Sequence, residues 1–196
     1  MRGNRLCNFS LCRRLPVVST FRSTLWDWEE ARDFCTMCLS YIDVLFGIEP
    51  YHLWKDEQDH QTGDVKDGVP FQPDFKQQDE VFHGFVKRYP NIKCIARHVR
   101  YAHSCSENSL MAYLWYDGKT YESQKLRFHI LDRVGGGDAF VSGIIYALMN
   151  EYKPQDIADF GVAASAVKHT IHGDGNITDD VSLIEHIMQM NFDIKR

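Results

Sequence analysis

The segment Asp132-Arg-Val-Gly-Gly-Gly-Asp-Ala-Phe140 holds the residues of this chain best suited to chemistry. Three glycines precede an aspartate, and the apolar run Ala139 to Met149 follows. The order reads as strand, Gly135-Gly136-Gly137, Asp138, helix. Backbone N–H groups at a helix start lack intrahelical partners and point outward. With the helix dipole behind them they suit a phosphate or a developing oxyanion. Glycine lets the backbone approach such an anion closely and take conformations closed to other residues. A bound anion would repel the Asp138 carboxylate, so that group does not serve affinity. It suits removal of a proton from a hydroxyl that attacks the phosphate. The plainer alternative is that Asp138 caps the helix and the glycines turn the chain. The segment is neither a Walker A loop nor a GxGxxG fingerprint.

The elements that must position this segment follow from periodicity. Trp26 to Tyr41 has helical spacing, with Ser23 or Thr24 as candidate caps and Asp27, Glu29 and Glu30 in the first turn. Ile42 to Ile48 is a short apolar run stopped before Pro50, as expected of a buried strand. Residues 51–78 are polar, with Gly63, Gly68, Pro70 and Pro73, and read as a long loop. Asp79 to Tyr89 is expected to be helical. Lys93 to Val99 and Ser109 to Tyr116 are expected to be strands, with an Asp117-Gly118 hairpin turn after the second. Strand-like residues continue from Thr120 to Leu131. Helices follow at about Ala139 to Asn150, Pro154 to His172 and Thr178 to Gln189. Helices alternating with short apolar strands define an α/β chain, layered around a mostly parallel sheet.

Composition narrows the partners. The chain has 196 residues, 44% hydrophobic and 25% charged, which is enough for one domain with a sizeable core. The net charge of -5 argues against a nucleic-acid or anionic-membrane surface. No apolar run approaches membrane-spanning length. Residues 1–20 carry Arg2, Arg5, Arg13 and Arg14 and no acid, and read as a basic leader. The six cysteines are scattered, and Cys35 and Cys38 lack the second pair or nearby histidines of a zinc site, so reduced thiols in a cytoplasmic protein are expected. His98 and His103 read as ordinary surface or packing residues. His169 and His172 would form half a metal site with no third ligand. Tyr101, next to Arg100, is placed for a ligand pocket by proximity alone, and Tyr113 to Tyr116 read as strand packing.

Asp132, Gly135, Gly136, Gly137, Asp138, Ala139, Phe140 and Gly143 match the pattern Asp-x-x-Gly-Gly-Gly-Asp-Ala-Phe-x-x-Gly. That pattern resembles the C-terminal signature of the ribokinase-like, or PfkB, carbohydrate kinases. Phe21-Arg-Ser-Thr-Leu-Trp26 is similar to their R-x-x-L-W stretch, and Ala163 to Asn176 to their adenine-side helix and following loop. The likeness is strongest to the kinases of 2-keto-3-deoxygluconate and covers about residues 21–196. It implies a ribokinase-like α/β fold that phosphorylates a small sugar acid from ATP. Asp138 would then be the base, Gly135 to Gly137 the anion hole, and Asp174 a substrate contact. Arg22 would pair with the substrate carboxylate, as its planar two-donor fork allows. Mg²⁺ would bridge the ATP phosphates, with Glu49 holding its water shell, and a monovalent cation would sit near Asp132. The implied partners are small molecules, with neither nucleic acid nor membrane among them; a homo-oligomer is compatible with the pattern.

The chain also departs from the family pattern. Val18 and Thr20 stand where a D-x-N motif would precede Arg22, and Phe46 stands where an N-x-x-E motif would have its asparagine. The Thr or Lys that opens the family's ATP loop has no clear counterpart in Ile95 to Asn108, where Arg97 or Arg100 would have to substitute. The family's N-terminal half has no counterpart, so residues 21–196 are expected to be the C-terminal part of the kinase domain, N-terminally truncated. Three readings follow: a sugar-acid kinase, an incompetent fragment that retains at most ATP binding, and a non-kinase α/β protein with a phosphate-binding loop.

Overall fold

A computed structural model describes residues 16–18, 27–48, 74–175 and 181–189. Its elements in chain order are β1 (Pro16–Val18), α1 (Trp28–Cys38), β2 (Val44–Phe46), α2 (Phe75–Arg88), β3 (Cys94–Ala102), β4 (Glu107–Tyr116), β5 (Lys119–Glu122), β6 (Leu126–His129), α3 (Gly136–Met149), α4 (Pro154–Lys168) and α5 (Val181–Met188).

The strands form one six-stranded sheet in the order β1-β2-β3-β4-β5, and β6 also pairs with β4. β1, β2 and β3 run parallel, while β4 is antiparallel to β3, β5 and β6. The α/β expectation therefore holds, with the parallel part at β1 to β3 and an antiparallel hairpin region beyond it. β1 falls within the segment read as a leader. Its two valines are β-branched and suit a strand beside β2.

Side-chain alternation gives the sheet two buried faces. Ala96, Leu110, Ala112 and Leu114 meet Phe140, Ile144 and the apolar body of α4. Ile95, Val99, Met111, Tyr113 and Trp115 pack instead with Leu39, Phe82 and Phe85. The result is three layers, helix on sheet on helix. α4 is the central helix of its layer. Every residue from Ile157 to Lys168 is buried. α3 and α4 approach closely because Gly143 and Gly161 face one another. A Cβ on Gly143 would lie 2.9 Å from the Ala164 methyl, and one on Gly161 would lie 2.6 Å from Ile144. This crossing sets the start of α3 beside the end of α4.

Several boundaries differ from expectation, each for a local reason. α1 is capped by Asp27, whose carboxylate accepts from Glu30 N at 2.8 Å; the candidate caps Ser23 and Thr24 lie outside the described residues. α2 begins at Phe75 because Asp74 caps it, accepting from Gln77 N at 2.7 Å. The Asp117-Gly118 turn forms as expected, both residues having positive φ (50° and 81°), the geometry of a two-residue hairpin. α4 ends at Lys168 rather than His172. Tyr101 turns away from the cavity described below. Its hydroxyl donates to the Met111 sulfur at 3.0 Å, and the Lys125 ammonium lies 3.4 Å from its ring centre. Among the described residues, no helix is long and apolar enough to cross a membrane.

Candidate active site

β6 leads directly into the glycine segment. Beyond it, Leu131 N and Asp132 N both donate to the His169 carbonyl, at 2.8 and 3.2 Å. Asp132 then folds its carboxylate over the loop. One oxygen accepts from Val134 N at 3.0 Å, the other from Gly173 N at 2.8 Å. Those N–H bonds hold the Asp132 carboxyl below its usual range. Gly135 ends the loop as the helix cap with φ of 78°, a left-handed conformation that favours glycine. A side chain there would also meet the Asp174 carbonyl oxygen at 2.7 Å.

α3 begins at Gly136, so two of the three glycines lie inside its first turn. The first intrahelical bond runs from Ala139 N to Gly135 O at 2.9 Å. The N–H groups of Gly136, Gly137 and Asp138 precede it and have no partner within the helix, the arrangement an anion cradle would need. Asp138 is exposed on this first turn and forms no salt bridge among the described residues. Its side chain does not cap α3; Gly135 is the cap residue.

A cavity of about 350 Å³ opens beside the cradle, between the helix start and the sheet. Gly136 and Gly137 form one wall and Arg97, Arg100, Arg133 and His169 much of the rest. Arg97 donates to Gln78 Oε1 at 2.7 Å and Arg133 to the Cys105 carbonyl at 3.3 Å. The Arg100 and Arg133 side chains and a helix N-terminus make this an anion-attracting volume, while the Arg97 side chain, bonded to Gln78 of α2, lies with Ile95 and Val99 on the opposite face of the sheet.

The last turn of α4 supports the cradle from below. Ser165 Oγ donates to the Gly136 carbonyl at 2.8 Å. His169 Nδ1 donates to the Ser165 carbonyl at 2.7 Å, and Phe128 lies against the ring at 5.2 Å. The ring fills the space a Gly136 side chain would need: a Cβ would lie 2.3 Å from His169 Cε1. Burial pushes His169 below its ordinary range, against the opposing effect of the Ser165 bond. Lys168, fully buried, donates to the Gly173 and Ile171 carbonyls at 2.6 and 3.2 Å.

The structure thus gathers Asp132, Gly135, Gly136, Gly137, Asp138 and the Asp174 backbone at one end of α3. Arg22 and Glu49 lie outside the described residues. His169 and His172 form no pair: one is buried under the cradle, the other exposed. Among the described residues no group of three or more His, Cys, Asp or Glu could hold a metal ion. Sequence reasoning missed Ser165, Lys168 and His169 as parts of the site. Their spacing (i, i+3, i+4) in an otherwise apolar helix was the available sign, since it aligns three polar groups on one face.

The layered α/β arrangement with the glycine loop opening α3 defines a ribokinase-like fold. A solved 2-dehydro-3-deoxygluconokinase from Thermotoga maritima superposes with a TM-score of 0.74 at 26% identity, over 90% of this chain and 51% of that one. Residues 112–180 match the pfkB family carbohydrate kinase model. Among curated relatives, a 2-dehydro-3-deoxygalactonokinase from Haloferax volcanii is 26% identical over 155 residues, 79% of this chain and 41% of that protein. A 5-dehydro-2-deoxygluconokinase from Clostridium botulinum is 31% identical over 71 residues, 36% of this chain and 20% of that protein. The chain spans less than half the length of these curated relatives.

Proposed function

We propose that this chain carries the phosphoryl-transfer site of a carbohydrate kinase and that its acceptor is a small sugar acid, 2-keto-3-deoxygluconate giving the 6-phosphate. The observation that carries this reading is the free first turn of α3, open to an arginine-lined cavity, with an exposed carboxylate at its edge.

The chemistry follows from those groups. The acceptor hydroxyl oxygen attacks the γ-phosphorus of ATP, the bond to the ADP oxygen breaks, and the hydroxyl proton passes to Asp138. The N–H groups of Gly136, Gly137 and Asp138 face the charge that builds on the transferring group. Gly135 makes the turn that aims them. Mg²⁺, when bound with ATP, neutralises charge on the β- and γ-phosphates; Glu49 is the residue assigned to its water shell. Arg100 and Arg133 favour an acceptor that is itself an anion, which selects a sugar acid over a neutral sugar. Arg22 and Asp174 complete the acceptor site in this reading.

The test is ATP consumption with 2-keto-3-deoxygluconate, comparing the chain with Asp138→Asn. Asp138→Asn should lower turnover by about 10²–10⁴-fold, the usual worth of a positioned base, without moving the melting temperature. Turnover that survives the substitution removes the base role. No turnover in the unsubstituted chain, with a thermal shift from ATP and Mg²⁺, would assign it nucleotide binding alone.

A further inference from the structure

The resemblance to ribokinase-like enzymes implies a monovalent cation beside Asp132. Such an ion needs a shell of oxygen ligands, supplied by a carboxylate and by backbone carbonyls. The residues present do not fit one. Both Asp132 carboxylate oxygens face N–H groups, Val134 on one and Gly173 on the other. The carbonyls of Ile171 and Gly173, on the neighbouring loop, accept from the Lys168 ammonium instead.

Lys168 is an unusual residue in its own right. It is fully buried at the last position of α4, and burying an ammonium is costly unless its donors and charge are met. Two donors are met by carbonyls, the helix C-terminus adds negative partial charge, and the Asp132 carboxylate is close enough to interact electrostatically with the ammonium. Its stem passes under the cradle, with Cε 3.1 Å from where a Gly135 Cβ would lie. Gly173 is held from both sides, its N–H by Asp132 and its carbonyl by Lys168. The loop that carries Asp174 is thereby pinned against Gly135.

We propose that the Lys168 ammonium stands in the place of a monovalent cation, as a built-in positive charge that pins the 171–174 loop to the anion cradle, so that the cradle needs no K⁺ or Na⁺. This concerns the loop's own cation requirement and is read by melting rather than turnover, so its failure is separate from failure of the kinase reading.

The experiment compares thermal unfolding of the full chain in KCl, NaCl and tetramethylammonium chloride at one ionic strength, the last cation being too bulky for a carbonyl-lined site. The three midpoints should coincide, and titrating K⁺ should give no saturable rise. A saturable K⁺- or Na⁺-dependent rise absent with tetramethylammonium would overturn the proposal. Lys168→Met, at any of these salts, should melt several degrees lower; a midpoint equal to that of the unsubstituted chain would equally overturn it. Should Lys168→Met fail to fold, the cation series on the unsubstituted chain decides alone.

Discussion

Adjacent glycines 136 and 137 are identical in sequence and opposite in role, which makes them the sharpest test of how the cradle is built. Gly136→Ala would place a methyl 2.3 Å from His169 Cε1, 2.8 Å from Nε2 and 3.0 Å from Nδ1. The ring cannot easily yield, since Nδ1 is bonded to the Ser165 carbonyl and Phe128 lies against it. Overpacking of this kind costs about 1–3 kcal/mol, and contact this short belongs at the upper end. Replacing glycine by alanine inside a helix returns roughly 1 kcal/mol. The net loss is about 2 kcal/mol, which for a chain of this size lowers Tm by about 4–8 °C.

Gly137→Ala meets nothing within 4 Å. It should leave Tm unchanged or raise it, because only the helix-propensity gain of up to ~1 kcal/mol remains. Its cost falls elsewhere. Gly137 lines the arginine cavity, so the added methyl narrows the approach to the cradle and should shrink the thermal shift produced by ATP and Mg²⁺. Differential scanning calorimetry of the two variants, with and without nucleotide, reads both effects. Equal Tm losses, or a Gly136→Ala variant that melts with the unsubstituted chain, would refute the division of the pair into a packing glycine and a ligand-facing glycine.

Two further predictions concern pH. N–H bonds from Val134 and Gly173 hold Asp132 below its usual range. Its stabilising effect is therefore complete above the unfolded value of about 3.9 and lost as pH falls through the lower folded value; Asp132→Asn should melt lower at neutral pH and converge on the unsubstituted chain in strong acid. Burial, with Arg100, Lys168 and Arg133 nearby, holds His169 below its ordinary value. The unfolded chain then binds more protons, so stability is complete above about pH 6.5 and falls as pH drops toward the folded value. His169→Gln should flatten that part of the Tm-against-pH curve, and an unchanged slope would exclude His169 as its source.

The parts of the site legible in sequence are those whose chemistry is local. Gly135 must take positive φ, Gly136 and Gly137 must open a helix, and Asp138 must follow them, so a single stretch of chain carried the pattern. The Asp117-Gly118 hairpin was legible for the same reason, since its two residues satisfy their own turn. Helix starts were less so. Asp74 and Asp27 cap α2 and α1 through their own side chains, yet polar neighbours of equal capping propensity hid them. α3 starts at Gly136 rather than Ala139 because glycine's low propensity is overruled by packing on α4.

What the sequence hid is the support, because it is made across the chain. Asp132 reaches Gly173, and Ser165 reaches the carbonyl of Gly136, contacts that no local spacing encodes. They explain why α4 can be buried along its length and still end in Ser165, Lys168 and His169. Ser165 bonds the Gly136 carbonyl, Lys168 the Gly173 carbonyl of the neighbouring loop, and the His169 ring the Ser165 carbonyl, and each would be costly to bury without that partner. The polar turn of α4 and the glycine turn of α3 are therefore one device. The glycines are free to aim their amides outward only because the groups beneath them fix the direction. Substitution at Lys168 or His169 should disturb anion binding without touching any residue that meets the anion through its own backbone N–H.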